Sequence, residues 1–244
     1  MADNSASSVS QVNRVVLPGD VIGSVADFEG SLEGKNKIKL GPGLREENGL
    51  IVVYKAGIFR HRSPSTYLID CNQRRYVPVK EERVIGIITN RGSDSYKVDI
   101  GGALPASLPS LAFEGATKKN KPNLQIGDIV YARLCVANKD MEPELDCTDG
   151  SGKSTGLGQL LGGFMINCSL GLSRKLLSKE FVLLKCLGKY FPFECTVGMN
   201  GRVWIDSASI PHTIAIANAV TNSEYMNNNQ IETMVKQLAR GIQS

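Results

Sequence analysis

The sequence contains few of the residues on which common catalytic sites depend. Its 244 residues include only two histidines and one tryptophan, and aromatic residues make up 6%. The six cysteines form no C-x-x-C pair and lie mostly in apolar segments, a pattern that favours reduced core thiols over disulfides or a zinc site. Two histidines leave few candidates for catalysis that relies on imidazole. We therefore expect no metal, no cofactor and no imidazole-based catalysis.

Long apolar runs and an excess of one charge are also missing. No segment approaches the roughly 20 apolar residues of a membrane-spanning helix, and the polar residues 1–14 lack the apolar centre of a secretory signal. The 28 Lys and Arg nearly balance the 24 Asp and Glu. We expect an intracellular, soluble, globular protein with no membrane partner. Affinity for nucleic acid would have to come from a local basic patch.

The first 78 residues predict a tail followed by a small β domain. Residues 1–14 are interpreted as a disordered tail, and residues 15–78 contain short β-like runs broken by turn-forming Pro and Gly, without helical periodicity. This spacing favours a barrel-like β domain. The predicted strands are Arg14–Leu17, Leu50–Lys55, Ser65–Asp70 and Arg75–Val79.

Residues 79–150 predict a second, longer-stranded β domain. Five short strands in about 70 residues are typical of an OB-fold barrel, which binds oligonucleotides along one face and its rim loops. The predicted strands are Arg83–Thr89, Ser95–Ile100, a strand near Ala112, Ile129–Ala137 and Glu144–Cys147.

A glycine-rich connector at residues 149–163 opens a C-terminal α+β domain, assigned to residues 151–244. Three strands are expected at 164–169, 193–197 and 202–206, with helices between and after them. The final helix is the clearest, because Ile231, Met234, Val235, Leu238 and Ile242 recur at helical spacing. The chain is therefore predicted to be multidomain and mainly β, with a C-terminal α+β domain.

Gly198-Met199-Asn200-Gly201 fits the G-x-x-G loop by which KH domains clamp a nucleotide backbone. Alternating strand patterns flank it, however, and Asn-Gly favours a tight hairpin in which both residues have positive φ. We interpret Gly198, Asn200 and Gly201 as a structural turn, and Trp204 as a packing residue of the same hairpin.

A local concentration of positive charge is Lys118-Lys119-Asn120-Lys121, on a loop between predicted barrel strands and near Phe113. Lysines that follow phosphates, with a ring on which a base can stack, are what single-strand binding requires. A solvated loop without a partner is the alternative, and Tyr96 could equally be a barrel-wall residue. The predicted RNA-binding residues are Lys118, Lys119, Lys121, Arg91, Tyr96 and Lys97.

Gly152-Lys153-Ser154 matches the end of a phosphate-binding P-loop. Cys147 stands where the first glycine should be, and more glycine follows instead of a helix. A flexible linker is the favoured interpretation. A nuclease or nucleotide-dependent enzyme using the Gly150–Thr155 segment remains an alternative, as does a free-standing RNA-binding regulator.

Five segments, in the same order along the chain, resemble one family of the eukaryotic RNA exosome cap, that of the forty-kilodalton ribosomal-RNA-processing subunit, or exosome component three. A sibling cap subunit with the same domain order is the nearest alternative, but the strings at 137–144 and 198–201 favour the former. The segments are Val15–Asp20, Leu40–Leu44, Arg75–Val79, Ala137–Glu144 and Gly198–Trp204.

The resemblance implies a barrel-like N-terminal domain, an OB domain of the ribosomal protein S1 type and a KH domain. It implies a non-catalytic cap subunit that stabilises a ring of RNase PH-like subunits beside other cap subunits. Single-stranded RNA would pass through the ring to separate 3′ exonucleases, in the processing and degradation of rRNA, mRNA and other RNAs, in nucleus, nucleolus and cytoplasm.

The resemblance also assigns residues. The family's entrance-facing basic loop corresponds to Lys118, Lys119 and Lys121, and its G-x-N-G turn, buried against the OB domain, corresponds to Gly198, Asn200 and Gly201. The chain departs from many OB domains of this type at Leu108 and Pro109, near where an aromatic residue or His is expected.

Overall fold

The structure, a computed structural model, describes residues 12–30, 38–138 and 140–243. The chain divides into two compact units, Met1–Asn72 and Gln73–Ser244. Residues 1–11 of the predicted tail lie outside the described residues, whereas the Asn13 N–H already donates a hydrogen bond to the Phe59 carbonyl. None of the described helices has the length and apolar character needed to span a bilayer.

The first unit consists of two small sheets around a core that includes Phe28, Ile51 and Phe59. One sheet has the order β1-β6-β7-β3 and the other β2-β5-β4. The strands are β1 Val15–Val16, β2 Val21–Ser24, β3 Lys39–Leu40, β4 Leu44–Glu47, β5 Leu50–Val53, β6 Gly57–Arg62 and β7 Thr66–Asp70.

A short helix, α1 Val25–Gly30, lies in this unit, where no helix was predicted. The Ser24 hydroxyl accepts a hydrogen bond from the Asp27 N–H, and the Asp27 carboxylate accepts one from the Ser24 N–H. This reciprocal cap starts a helix too short to show periodicity. The predicted strand Arg75–Val79 is also wrong, since these residues form no strand and include Pro78.

In the second unit, a closed five-stranded barrel confirms the predicted OB-type fold. It closes because β12 pairs in parallel with β10 and antiparallel with β11. Along β11, Val130, Ala132 and Leu134 are buried and alternate with partly exposed residues, as a barrel wall requires. The strands are β8 Arg83–Arg91, β9 Ser95–Asp99, β10 Ala106–Pro109, β11 Ile129–Val136 and β12 Glu144–Asp146.

Two features of the barrel differ from the sequence-based expectation. The third strand is Ala106–Pro109 rather than a strand near Ala112. A further strand, β13 Gly158–Leu160, pairs antiparallel with β11 inside the segment expected to be a connector. Glycine richness suggested a flexible linker, but Gly156 and Gly158 have positive φ and shape the approach to this strand. The barrel therefore ends near Leu160 rather than at residue 150.

The remainder forms an α+β domain with a three-stranded antiparallel sheet of order β14-β16-β15. The helices pack on one face of this sheet around Val203, Ile205, Ile216 and Val235, all of which are buried. The elements are β14 Phe164–Asn167, α2 Leu170–Leu177, α3 Leu183–Leu187, β15 Phe193–Gly198, β16 Arg202–Ser207, α4 Ile210–Asn222, a short 3₁₀ helix Ser223–Tyr225 and α5 Asn228–Gln243.

Candidate nucleic-acid interface and the junction of barrel and α+β domain

A polar groove of about 360 Å³ lies between the β8–β9 hairpin and the loop that joins β10 to β11. The loop is shaped by a turn in which the backbones of Thr117 and Asn120 exchange two hydrogen bonds. The turn presents lysines on both sides of Asn120. The groove-lining residues are Arg91, Gly92, Ser93, Tyr96, Ser110, Lys118, Lys119, Lys121, Pro122 and Asn123.

Lys121 fixes the loop to the hairpin. Its ammonium group lies 2.9 Å from the Asp94 carboxylate and donates to the Ser93 carbonyl at 3.1 Å. The hydrogen bond from Lys121, its charge and the nearby charge of Lys118 lower the pKa of Asp94. Lys121 is thus a positioning residue whose own charge is partly neutralised.

Three cations of the groove remain available. Lys118, Lys119 and Arg91 are exposed, and no carboxylate in residues 12–30, 38–138 or 140–243 forms an ion pair with them. Lys97 differs, because its ammonium group pairs with Glu142 across the barrel surface. The structure therefore brings Lys118, Lys119, Lys121 and Arg91 together around one groove and assigns Lys97 to an ion pair outside its lining.

Tyr96 cannot serve as the stacking platform that was one reading of the sequence. Its side chain is 4% exposed and packs in the barrel core, and its hydroxyl donates to the Pro122 carbonyl. A ring enclosed in this way has no free face for a base. In β9 the burial alternates, so Tyr96 and Val98 face inward. The barrel-wall alternative is therefore correct.

Ser110 is a groove residue that sequence reasoning missed. It is 3% exposed, and its hydroxyl has no hydrogen-bond partner among the described residues. A buried hydroxyl without a partner costs stability. A serine just past a strand carries no distinguishing sequence signal, so only the folded structure shows that it lies at the groove.

A second constellation lies where the α+β domain meets the barrel, and it centres on Asn200. The Asn200 carboxamide accepts a hydrogen bond from the Ile85 N–H at 3.2 Å and donates to the carbonyls of Ile85 and Ile100 at 2.7 and 2.9 Å. The Met199 N–H adds a bond to the Arg83 carbonyl. Asn200 thereby satisfies backbone groups of β8 and the end of β9 that the barrel leaves open.

Arg202 reinforces this junction, and its role was not predicted. It is 9% exposed, and its guanidinium donates to the carbonyls of Ile85 and Asp99 and to the Asp99 carboxylate. Partial burial would raise the pKa of Asp99, but hydrogen bonds from Arg202 and the Gly101 N–H, with the charge of Arg202, bring it below its usual value. The Arg202–Asp99 ion pair therefore places a charged group at the interface with hydrogen-bond partners on the barrel.

The hairpin geometry explains the glycines of the motif. Gly198 and Arg202 pair across β15 and β16, which leaves a three-residue loop. Only Gly201, at φ 77°, has positive φ, so the expectation of positive φ at Asn200 is wrong. A Cβ on Gly198 would lie 2.4 Å from the Asn200 carboxamide oxygen. The Met199 N–H and the Gly201 carbonyl of the loop bond to Arg83 and to the Cys168 N–H, and this packing argues against a loop that clamps RNA.

Trp204 lies in the same hairpin, where it is 4% exposed and its indole N–H donates to the Gly162 carbonyl at 3.0 Å. A Cβ on Gly163 would come within 2.7 Å of the indole ring. Trp204 therefore holds the short connection between β13 and β14 against the sheet.

In the loop at Gly152-Lys153-Ser154, the side chain of Asp149 binds the backbone N–H groups. The Asp149 carboxylate accepts hydrogen bonds from the backbone N–H groups of Ser151 and Lys153. These are the donors that a phosphate would need, so the loop does not offer a P-loop cradle. Across the part of the chain that the structure describes, no three His, Cys, Asp or Glu side chains group as a metal site.

Family models cover most of the chain. The model described as "Mammalian exosome complex component RRP40, N-terminal" matches residues 14–72, that of "Exosome complex component RRP40, S1 domain" matches residues 76–158, and a KH domain model matches residues 163–211. The S1 match ends within β13.

Relatives match over nearly the whole chain. A protein of Dictyostelium discoideum whose name contains the words exosome complex component rrp40 is 46% identical over 91% of each chain. Exosome complex component rrp40 of Schizosaccharomyces pombe is 44% identical over 88% of this chain and 90% of its own, and RRP40 of Homo sapiens is 40% identical over 93% and 91%.

One solved structure shares the fold. Its name contains the words "exosome complex RNA-binding protein", and it superposes with a TM-score of 0.59 at 21% identity, over 70% of this chain and 99% of its own. At that identity the likeness concerns the fold alone.

Proposed function

The chain belongs to the family of exosome complex component RRP40, and from this premise we propose that it is a non-catalytic, RNA-binding cap subunit of the exosome. In this proposal its S1 barrel guides single-stranded RNA into the central channel of a ring of RNase PH-like subunits. Other cap subunits and, indirectly, 3′ exonucleases are its further partners, and it acts in nucleus, nucleolus and cytoplasm.

The groove between the β8–β9 hairpin and the β10–β11 loop carries this proposal. Lys118, Lys119 and Arg91 present positive charge without a paired carboxylate, while Lys121 holds the loop in place through Asp94. Unpaired cations on a rigid rim attract the phosphates of any sequence, because phosphate contacts carry no base information. With Tyr96 buried and Phe113 partly buried against the barrel core, stacking contributes little in this proposal, which suits a conduit through which varied RNA passes.

Removal of two of these charges tests the proposal. In the assembled complex, the double variant Lys118→Ala with Lys119→Ala should weaken capture of single-stranded RNA about equally for all sequences. Each lost phosphate contact should flatten the slope of log affinity against log salt by about 0.7. RNA affinity is measured by fluorescence anisotropy at several salt concentrations.

The matched control is Lys236→Ala with Arg240→Ala, which removes the same charge from exposed positions on α5. This control should leave the salt slope unchanged. An equal slope in the Lys118 and Lys119 variant and the wild type would refute the proposed path of RNA.

A further inference from the structure

A second groove, of about 670 Å³, lies on the α+β domain. It shares no lining residue with the polar groove that contains Lys118 and Lys119. It is bounded by the start of β14, the loop after β16 and the first half of α4. Three large apolar side chains line it and remain open to solvent: Phe164 is 56% exposed, Ile210 77% and Ile214 55%. Apolar side chains gathered in one groove, rather than scattered singly, mark a site of interaction with another protein.

Two carboxylates adjoin these apolar side chains. Glu194 on β15 lies directly opposite Asp206 on β16 in the antiparallel register, so both side chains share one face of the sheet. Asp206 lines the apolar groove, and both acids line an adjoining cleft of about 510 Å³ together with Leu161. The two hollows thus form one continuous surface.

The acid pair works against the stability of the sheet. Like charges directly opposite each other on neighbouring strands are destabilising. Neither acid forms an ion pair with a residue in the described ranges, although 28 Lys and Arg are available in the chain. No ion pair among the described residues offsets this repulsion, whereas a cation bound between the two carboxylates would remove it.

We propose that this surface, formed by Phe164, Ile210, Ile214, Glu194 and Asp206, docks a segment of a partner protein in which a Lys or Arg adjoins apolar side chains. The cation lies at the two carboxylates, and the apolar side chains cover the isoleucines of α4. RNA is disfavoured as the occupant, because the carboxylates repel its phosphates. A second copy of this chain is disfavoured, since in a symmetric contact both surfaces would carry the same acid pair and neither would supply the cation.

Site-specific photo-cross-linking tests the proposal in the native complex. A benzoylphenylalanine replaces Ile210 in the full-length chain, and after irradiation the cross-linked segment is sequenced by mass spectrometry. We expect a protein segment with a Lys or Arg within about four residues of the cross-link, since an extended chain covers about 3.3 Å per residue. The same probe at Ile126, exposed on the barrel, should not capture that segment.

The charge dependence of the cross-link provides the second arm. In the double variant Glu194→Gln with Asp206→Asn, the yield of that cross-link should fall several-fold. The control Asp140→Asn with Glu232→Gln, which removes two acids elsewhere on the surface, should leave the yield unchanged. A cross-link to RNA, a captured segment without a nearby cation, no cross-link at all, or a yield unaffected by the acids would overturn the proposal.

A stability measurement separates docking from a structural role. Glu194→Gln alone should raise the midpoint of thermal unfolding, because it removes the repulsion from Asp206. If the midpoint falls instead, Glu194 stabilises the fold and the proposal is wrong. The variants at Glu194 and Asp206 should bind RNA with the affinity of the wild type. The test of docking is therefore independent of the proposed RNA binding at Lys118 and Lys119.

Discussion

At the scale of single residues, Asn200 shows how one side chain can join two domains. Its carboxamide bonds to three backbone groups of the barrel that lie 100 and 115 positions away in the sequence. The geometry needs two N–H donors and one acceptor on one short side chain, which Asp, Ser or Leu cannot supply. The domain junction therefore depends on the identity of this residue as well as on its size.

Replacement of Asn200 by Ala should destabilise the second unit by about 3 kcal/mol, because it leaves buried backbone groups without partners. The measurement is urea unfolding of the full chain, followed by the fluorescence of Trp204, its only tryptophan. The control Asn120→Ala removes an exposed carboxamide and should change the free energy of unfolding little. Equal stability of both variants would show that the junction does not contribute to the fold.

The same scale explains which site residues the sequence revealed. Lys118, Lys119 and Lys121 were found because three lysines in four residues form a local signal that needs no tertiary structure. Ser110 was missed because what distinguishes it is a buried hydroxyl without a hydrogen-bond partner among the described residues. Arg202 was missed because its partner, Asp99, is 103 positions away in the sequence. Tyr96 was open to two readings, and strand alternation was the evidence that decided between them.

At the scale of elements, the β15–β16 hairpin depends on a close approach of its turn to another strand end. Gly201 has φ 77°, and a Cβ there would lie 2.6 Å from the Cys168 carbonyl oxygen. Gly115 has a similar φ of 70°, but a Cβ there would meet nothing within 4 Å. A substitution at Gly115 therefore measures the free-energy cost of backbone strain alone, whereas a substitution at Gly201 adds the cost of a steric clash.

Gly115→Ala should cost about 1 kcal/mol, the penalty for placing an L side chain in the left-handed region. Gly201→Ala should cost at least about 1 kcal/mol more, because its methyl group also meets the Cys168 carbonyl. Both free energies come from urea unfolding, with RNA binding measured on the folded variants. A Gly201 variant that is as stable as the Gly115 variant yet loses RNA binding would return the motif to the role of an RNA clamp.

Long, regularly patterned elements were predictable, and short or irregular ones were not. The apolar run of β11 and the helical spacing of α5 each extend over enough residues to give a clear signal. Helix α1 has six residues and β13 has three, so neither shows a period, and β13 also lies in a glycine-rich segment. Its strand character comes from pairing with β11 and is not visible in local composition.

At the scale of the whole molecule, membership in the RRP40 family predicts an obligate component of a larger assembly. From cell extract, this 26.4 kDa chain should elute in a complex much larger than itself, and that complex should contain RNase PH-like subunits. If protein contacts hold the complex together, nuclease treatment should not change its size. Size-exclusion chromatography with mass spectrometry gives the answer, and elution as a monomer would favour a free-standing RNA-binding regulator.

The barrel strands precede Asn200 in the sequence, and this order matters during synthesis of the chain. The last strand, β13, ends at Leu160, and the Asn200 side chain that completes β8 follows forty positions later. At about 5 to 20 residues per second, the ribosome adds that stretch in about 2 to 8 seconds. During this interval the nascent barrel lacks the Asn200 side chain, so the backbone groups of Ile85 and Ile100 are without this partner until the C-terminal domain is made.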